Sequence, residues 1–141
     1  MRKRVAFDMK EPCASCPYRR DAKLEHWARE EFQRLLDHEA APLPGAIYAC
    51  HGTAKTPKKR VCAGWLLNQR ERRFPSISLR MRLSQDETAM QCAFDVQAST
   101  PQYDTVEEMV RANYPDEVDD WIAESEAKAQ RFATLLRRDE P

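Results

Sequence analysis

Four cysteines set in two separated pairs constrain this chain more than any other feature. Cys13 and Cys16 stand in Glu-Pro-Cys-Ala-Ser-Cys-Pro. Cys50 opens Cys-His-Gly, and Cys62 lies in Val-Cys-Ala-Gly. A Cys-x-x-Cys turn followed by proline aims two sulfurs at one point, and two more thiols complete a tetrahedral set. Thirty-three residues separate Cys16 from Cys50. A shared ion would therefore pin the start of one helix to the start of another. Charged residues make up 33% of the 141 positions, so the apolar core is modest and a metal cross-link has a clear structural job.

The simplest ligand set is Cys13, Cys16, Cys50 and Cys62. The alternative puts His51 in place of Cys50, because adjacent residues seldom both ligate one ion; His51 could otherwise hydrogen-bond a thiolate from outside the set. Zinc accepts four thiolates without geometric preference and is the expected cofactor. An iron–sulfur cluster uses the same four thiols and is the alternative. His26 and His38 read as surface residues, and Cys92, in Met-Gln-Cys-Ala-Phe, reads as a core residue. The odd count of five cysteines fits four ligands and one spare better than paired bridges.

Three catalytic readings compete with the structural one. Pro-Cys-Ala-Ser-Cys matches half of a zinc nucleobase deaminase, but no His-x-Glu precedes it to move the proton. A thiol–disulfide oxidoreductase would set Cys-x-x-Cys within a βαβ pattern, and none surrounds Cys13. A hydrolytic zinc keeps one position open for water, which four cysteines would fill.

The balanced net charge conceals an uneven distribution. Residues 55–82 hold nine basic side chains and one acidic, whereas residues 86–141 hold five basic and fourteen acidic. Arg19, Lys55, Lys58, Lys59, Arg60, Arg70 and Arg73 are the candidates for binding nucleic acid or another anion. The competing reading is a solvated face balanced by the acidic end. The chain contains no apolar run near the ~20 residues a membrane span needs. With no signal-peptide pattern at the N-terminus, the expectation is a cytoplasmic protein and no membrane partner.

Val5 to Met9 is expected to form a short strand and Ile47–Ala49 an extended entry to Cys50. Leu24, Trp27, Ala28, Phe32, Leu35 and Leu36 predict a helix capped by Asp21 and running to about Ala40. A second helix starts near Cys62, and Ser76 caps a third. Residues 91–98 are expected to be extended. Thr105 and Glu108 form a capping box. Val118, Trp121, Ile122, Ser125, Ala129, Phe132 and Leu136 predict an amphipathic final helix of about five turns. These features give an α+β, mainly helical chain built round a Cys-ligated metal. They divide it into a cysteine-motif domain at 1–100 and an acidic helical extension at 101–141 packed on it.

Cys-x-x-Cys-Pro-Tyr-Arg-Arg-Asp at 13–21, Trp27 with Glu31-Phe32, Ala49-Cys50-His51 and Val61-Cys62-Ala-Gly-Trp-Leu at 61–66 together resemble an uncharacterised family of small proteins from actinobacteria and their phages, catalogued only as a domain of unknown function. The resemblance covers roughly residues 10–85 and leaves the acidic tail from about 100 outside. It implies a shared site at Cys13, Cys16, Cys50, His51 and Cys62, with Arg19 and Gly64 as further site residues, and it implies no activity. The expected function is a non-enzymatic binding or regulatory module, phage-encoded by that resemblance, engaging a host protein or nucleic acid. The alternative is a metal- or redox-active enzyme with Cys13 and Cys16 as the reactive pair.

Overall fold

The computed structural model describes residues 4–40, 47–50, 52–53, 56–72 and 75–137. Among these the chain is mainly helical. Six helices follow in order: α1 (Arg29–Ala40), α2 (Ala63–Arg70), α3 (Ile77–Gln85), α4 (Glu87–Asp95), α5 (Val106–Asn113) and α6 (Val118–Arg137). β-Structure among the described residues is confined to isolated bridges. Ala6 pairs with Arg60, Ala49 with Val61, and Arg19 with Gln102. The expected strand at Val5–Met9 is therefore one bridge, fixed by Ala6 N–H to Lys59 O at 2.8 Å and Val61 N–H to Ala6 O at 2.8 Å.

Residues 60–62 form the middle rung of this small ladder. On the other side Cys50 N–H donates to Arg60 O at 2.6 Å and Cys62 N–H to Tyr48 O at 2.9 Å. The extended reading of Ile47–Ala49 holds, and the ladder sets Cys50 opposite Arg60 and Cys62 opposite Tyr48.

Helix starts follow the side chains that can cap them. Ser76 Oγ accepts the Leu79 amide at 3.4 Å and Thr105 Oγ1 the Glu108 amide at 3.0 Å. The return arm of the capping box shifts by one residue, because Glu108 Oε2 takes the Asp104 amide at 3.4 Å and the same carboxylate pairs with Arg20.

Two expected elements are corrected. The first helix begins at Arg29, eight residues after Asp21. Asp21 is held by a bidentate pair with Arg19, at 2.8 and 2.7 Å, and does not cap. Glu25 has φ of 57°, a left-handed conformation no helix tolerates, and its amide donates to Asn113 Oδ1 at 2.9 Å. Residues 91–98 are largely helical, since Asp86 Oδ1 caps α4 through the Ala89 amide at 3.0 Å and the helix runs to Asp95.

The helical half closes where α6 lies along α1 and α5. Phe32, Leu35 and Leu36 of α1 meet Val118 and Trp121 of α6, all buried. Tyr114 bridges them, 5.7 Å from the Phe32 ring and 5.0 Å from that of Trp121. The buried Ser125 is satisfied across the interface. It donates to Asp37 Oδ1 at 2.6 Å and accepts from Gln33 Nε2 at 2.8 Å. A buried hydroxyl left unpaired would cost about 1–3 kcal/mol, so this clamp fixes the register of α6 on α1. The apolar stripe on α6 is covered only in part, because Phe132 and Leu136 are exposed. No helix among the described residues is long and apolar enough to cross a membrane.

Candidate metal centre

The site begins with two tight turns. Cys16 N–H donates to Cys13 O and Arg19 N–H to Cys16 O, each at 3.0 Å, so the first Cys-x-x-Cys folds over on itself. The second pair comes from the ladder and the start of α2. Cys62 is the N-cap of α2, with Sγ accepting the Trp65 amide at 3.4 Å. The first turn is braced from outside by Trp27, whose Nε1–H donates to Ser15 O at 2.7 Å. The drawing of Trp27 back to this turn accompanies the interruption of the expected helix before Arg29.

All four expected cysteine ligands converge. Cys13, Cys16, Cys50 and Cys62, with Pro17 and Trp27, line one internal space too small to admit water. Within it the sulfurs pair across the two segments. Cys16 Sγ is 4.0 Å from Cys62 Sγ, and Cys13 interacts with Cys50. Among the described residues no three Cys, His, Asp or Glu side chains are gathered tightly enough to form a ready-made ligand set. The Cys16–Cys62 separation nevertheless suits a thiolate site, because four Zn–S bonds of about 2.3 Å place tetrahedral sulfurs about 3.8 Å apart.

The electrostatics divide each pair. The Cys13 thiol is pulled down to about 5, first by the Cys50 thiol hydrogen-bonded to it and further by Ser15, against the opposing effect of burial. Cys16 is lowered chiefly by the Cys62 thiol. Cys50 and Cys62 are pushed up, foremost by serving as the donors in these pairs and then by burial. Backbone N–H groups face every sulfur: Ser15 at Cys13, Tyr18 and Gly64 at Cys16, Gly52 at Cys50, and Trp65 at Cys62. Amides aimed at sulfur stabilise thiolates, and thiolates are the metal-binding form.

Gly64 is required by close approach. A Cβ at this position would stand 2.6 Å from Cys16 Sγ and 2.8 Å from Tyr18 Cβ. Without a side chain, the first turn of α2 lies directly against the Cys16 sulfur. Ser15, whose Oγ is 3.7 Å from Cys13 Sγ, and Tyr18, buried beneath the turn, are site neighbours that the motif spacing did not single out. Their places between and just after the two cysteines were the available signal.

The remaining expected residues divide differently. His51, Lys55 and Arg73 lie outside the described residues. His26 is exposed, as expected, but His38 is half-buried against the Tyr48 ring at 5.4 Å. Cys92 is half-buried on α4, away from the other thiols, with Sγ donating to Met9 O at 3.4 Å. Arg19 lies beside the first turn, close enough to feel Cys16 and Cys13, and pairs with Asp21. Lys58 and Arg60 both pair with Asp8, at 2.9 and 3.0 Å. Arg70 caps the end of α4, donating to Ala93 O at 3.2 Å and Val96 O at 2.9 Å. Lys59 is exposed. Lys58, Arg60 and Arg70 are thus occupied within the fold.

Residues 8–126 match the model of a family of unknown function, DUF6283. The chain belongs to that family. The DUF6283 match takes in the four cysteines and all of α1 to α5, and it ends inside α6. It extends well past the 10–85 range of the motif resemblance and into the acidic segment beyond residue 100. No curated protein and no solved structure matches the chain.

Proposed function

We propose that this chain is a non-enzymatic binding module whose cysteine end is held together by one structural zinc ion. The convergence of Cys13, Cys16, Cys50 and Cys62 on one water-excluding space, with an amide facing each sulfur, carries the reading. Zinc bound there would supply charge neutralisation and a four-way cross-link between the first turn, the ladder and α2. Four protein thiolates leave no open coordination position, which argues against hydrolytic chemistry.

The partner fits a protein better than a nucleic acid. The basic middle segment supplied the case for phosphate binding, and much of its charge is committed elsewhere. Lys58 and Arg60 share Asp8, Arg70 holds α4, Arg72 pairs with Glu39, and Arg82 pairs with Asp86. The motif resemblance to small proteins of actinobacteria and their phages makes a host protein in the cytoplasm the natural candidate.

Metal analysis of the purified chain tests the central claim, with cobalt substitution as a second readout. One zinc per chain, replaceable by cobalt with the intense charge-transfer absorption of thiolate ligation, supports it. A brown chain with stoichiometric iron and sulfide would favour the cluster alternative. A metal-free chain that cycles between four thiols and two disulfides would favour a redox enzyme. In that case the proximities point to Cys16 with Cys62 and Cys13 with Cys50, in place of Cys13 with Cys16. Salt-sensitive retention of random-sequence DNA would restore the nucleic-acid partner.

A further inference from the structure

The second half of α6 carries apolar surface that the described residues leave uncovered. Val118, Trp121 and Ser125 are buried, whereas Phe132, Leu135 and Leu136 are 37%, 56% and 60% exposed. Positions 118, 122, 125, 129, 132 and 136 alternate by four and three, the spacing of a two-helix seam. The inner part of that seam is occupied by α1 and α5. The outer part continues past them, and it lies beyond residue 126, where the DUF6283 match ends.

Beside the seam runs a groove of about 670 Å³ between the end of α1, the start of α5 and α6. Its floor includes Leu36, Ile122 and Ala129, and its rim carries Glu126 together with Glu39 and Glu107, which pair with Arg72 and Arg111. The exposed half of α6 has the opposite charge. Arg131 and Arg137 lie on it, and neither they nor Glu126 enter an ion pair among the described residues.

We infer that the chain self-associates through antiparallel pairing of α6 with α6 of a second copy, the outer end of each helix lying along the acidic-rimmed groove of the other. The charge pattern selects both the occupant and its direction. Antiparallel helices bring the Arg137 end of one copy to the Glu126 rim of the other, whereas parallel helices would set like charges against each other. Ala129 and Ala133, one turn apart near the crossing point, allow the helices to approach closely. The arrangement is isologous, so it closes as a dimer.

Sedimentation equilibrium of the full chain as purified, at two salt concentrations, is the test. The expected result is a monomer–dimer equilibrium that weakens as salt rises. Leu136→Glu should weaken it at least about tenfold. Helix content by circular dichroism should not change, because Leu136 is exposed. Arg137→Glu should weaken it as well, and adding Glu126→Arg should restore it. A monomer at every attainable concentration overturns the inference. So does a dimer indifferent to Leu136→Glu, or a charge swap that fails to restore association.

Discussion

The two ends of this molecule are held by different means. At the cysteine end, short-range backbone bonds and four sulfurs position one another, and the ladder contributes only single bridges. At the helical end long side chains pack together: Phe32 meets Tyr114 edge to face, Trp121 is tilted against Tyr114, and one polar clamp sets the register. The first depends on a few contacts, each of which matters greatly. The second spreads its stability over many contacts, so it should tolerate loss more gradually.

Cutting the shared sulfur set should have the largest effect. On the proposed zinc reading, Cys16→Ala or Cys62→Ala should abolish stoichiometric metal and cost on the order of 5 kcal/mol or more, because the binding energy of a structural metal is folding energy. Cys92→Ser, at a half-buried thiol outside the set, should leave metal content unchanged and cost about 1 kcal/mol or less. Equal effects of Cys16 and Cys92 substitutions would erase the distinction between the two ends. Denaturant melts with metal analysis measure both.

Next in size, Trp121→Ala should cost about 3–5 kcal/mol while metal stoichiometry stays at the wild-type value. Gly64→Ala should reverse that pattern. Its cost should be about 1–3 kcal/mol, since the new methyl would overlap Cys16 Sγ and Tyr18 Cβ, and metal affinity should fall with it. A chelator competition on the two variants shows whether the ends are separable.

The smallest effect concerns pH. Burial raises the Asp37 carboxyl, but bonds from Ser125, Lys128 and Gln33 outweigh it and leave the group below its ordinary value. A depressed carboxylate stabilises the fold fully above its unfolded value of about 4. That contribution disappears as the pH falls through the lower folded value. Asp37→Asn should flatten this acid limb of the stability profile, read by thermal melts from neutral pH down into the acid range. An unchanged limb would show that the clamp does not hold α6.

The parts legible from sequence were those decided within a few residues. Ser76, Thr105 and Cys62 start helices because their own side chains reach an amide three residues on. The 3.6-residue stripe of α6 likewise depends only on spacing along the chain. The stretch 21–28 misled because Leu24, Trp27 and Ala28 carry a helical spacing, while Arg19, Asn113 and Ser15 take Asp21, the Glu25 amide and the Trp27 indole for other contacts. The helix over much of 91–98 is hidden from local spacing because Asp86, outside that stretch, starts it.

The sequence by itself determined that four thiols arrive in two pairs, that a mainly helical chain surrounds them, and that its last helix has one apolar face. These follow from local spacing and side-chain chemistry. Only the tertiary structure decided that Cys16 meets Cys62 while Cys13 meets Cys50, that Gly64 gives way to a sulfur, and that Lys58 and Arg60 turn to Asp8. Only it decided how much of the α6 stripe is covered. Each of these depends on which distant segments share a surface, and the spacing of residues along a chain does not carry that information.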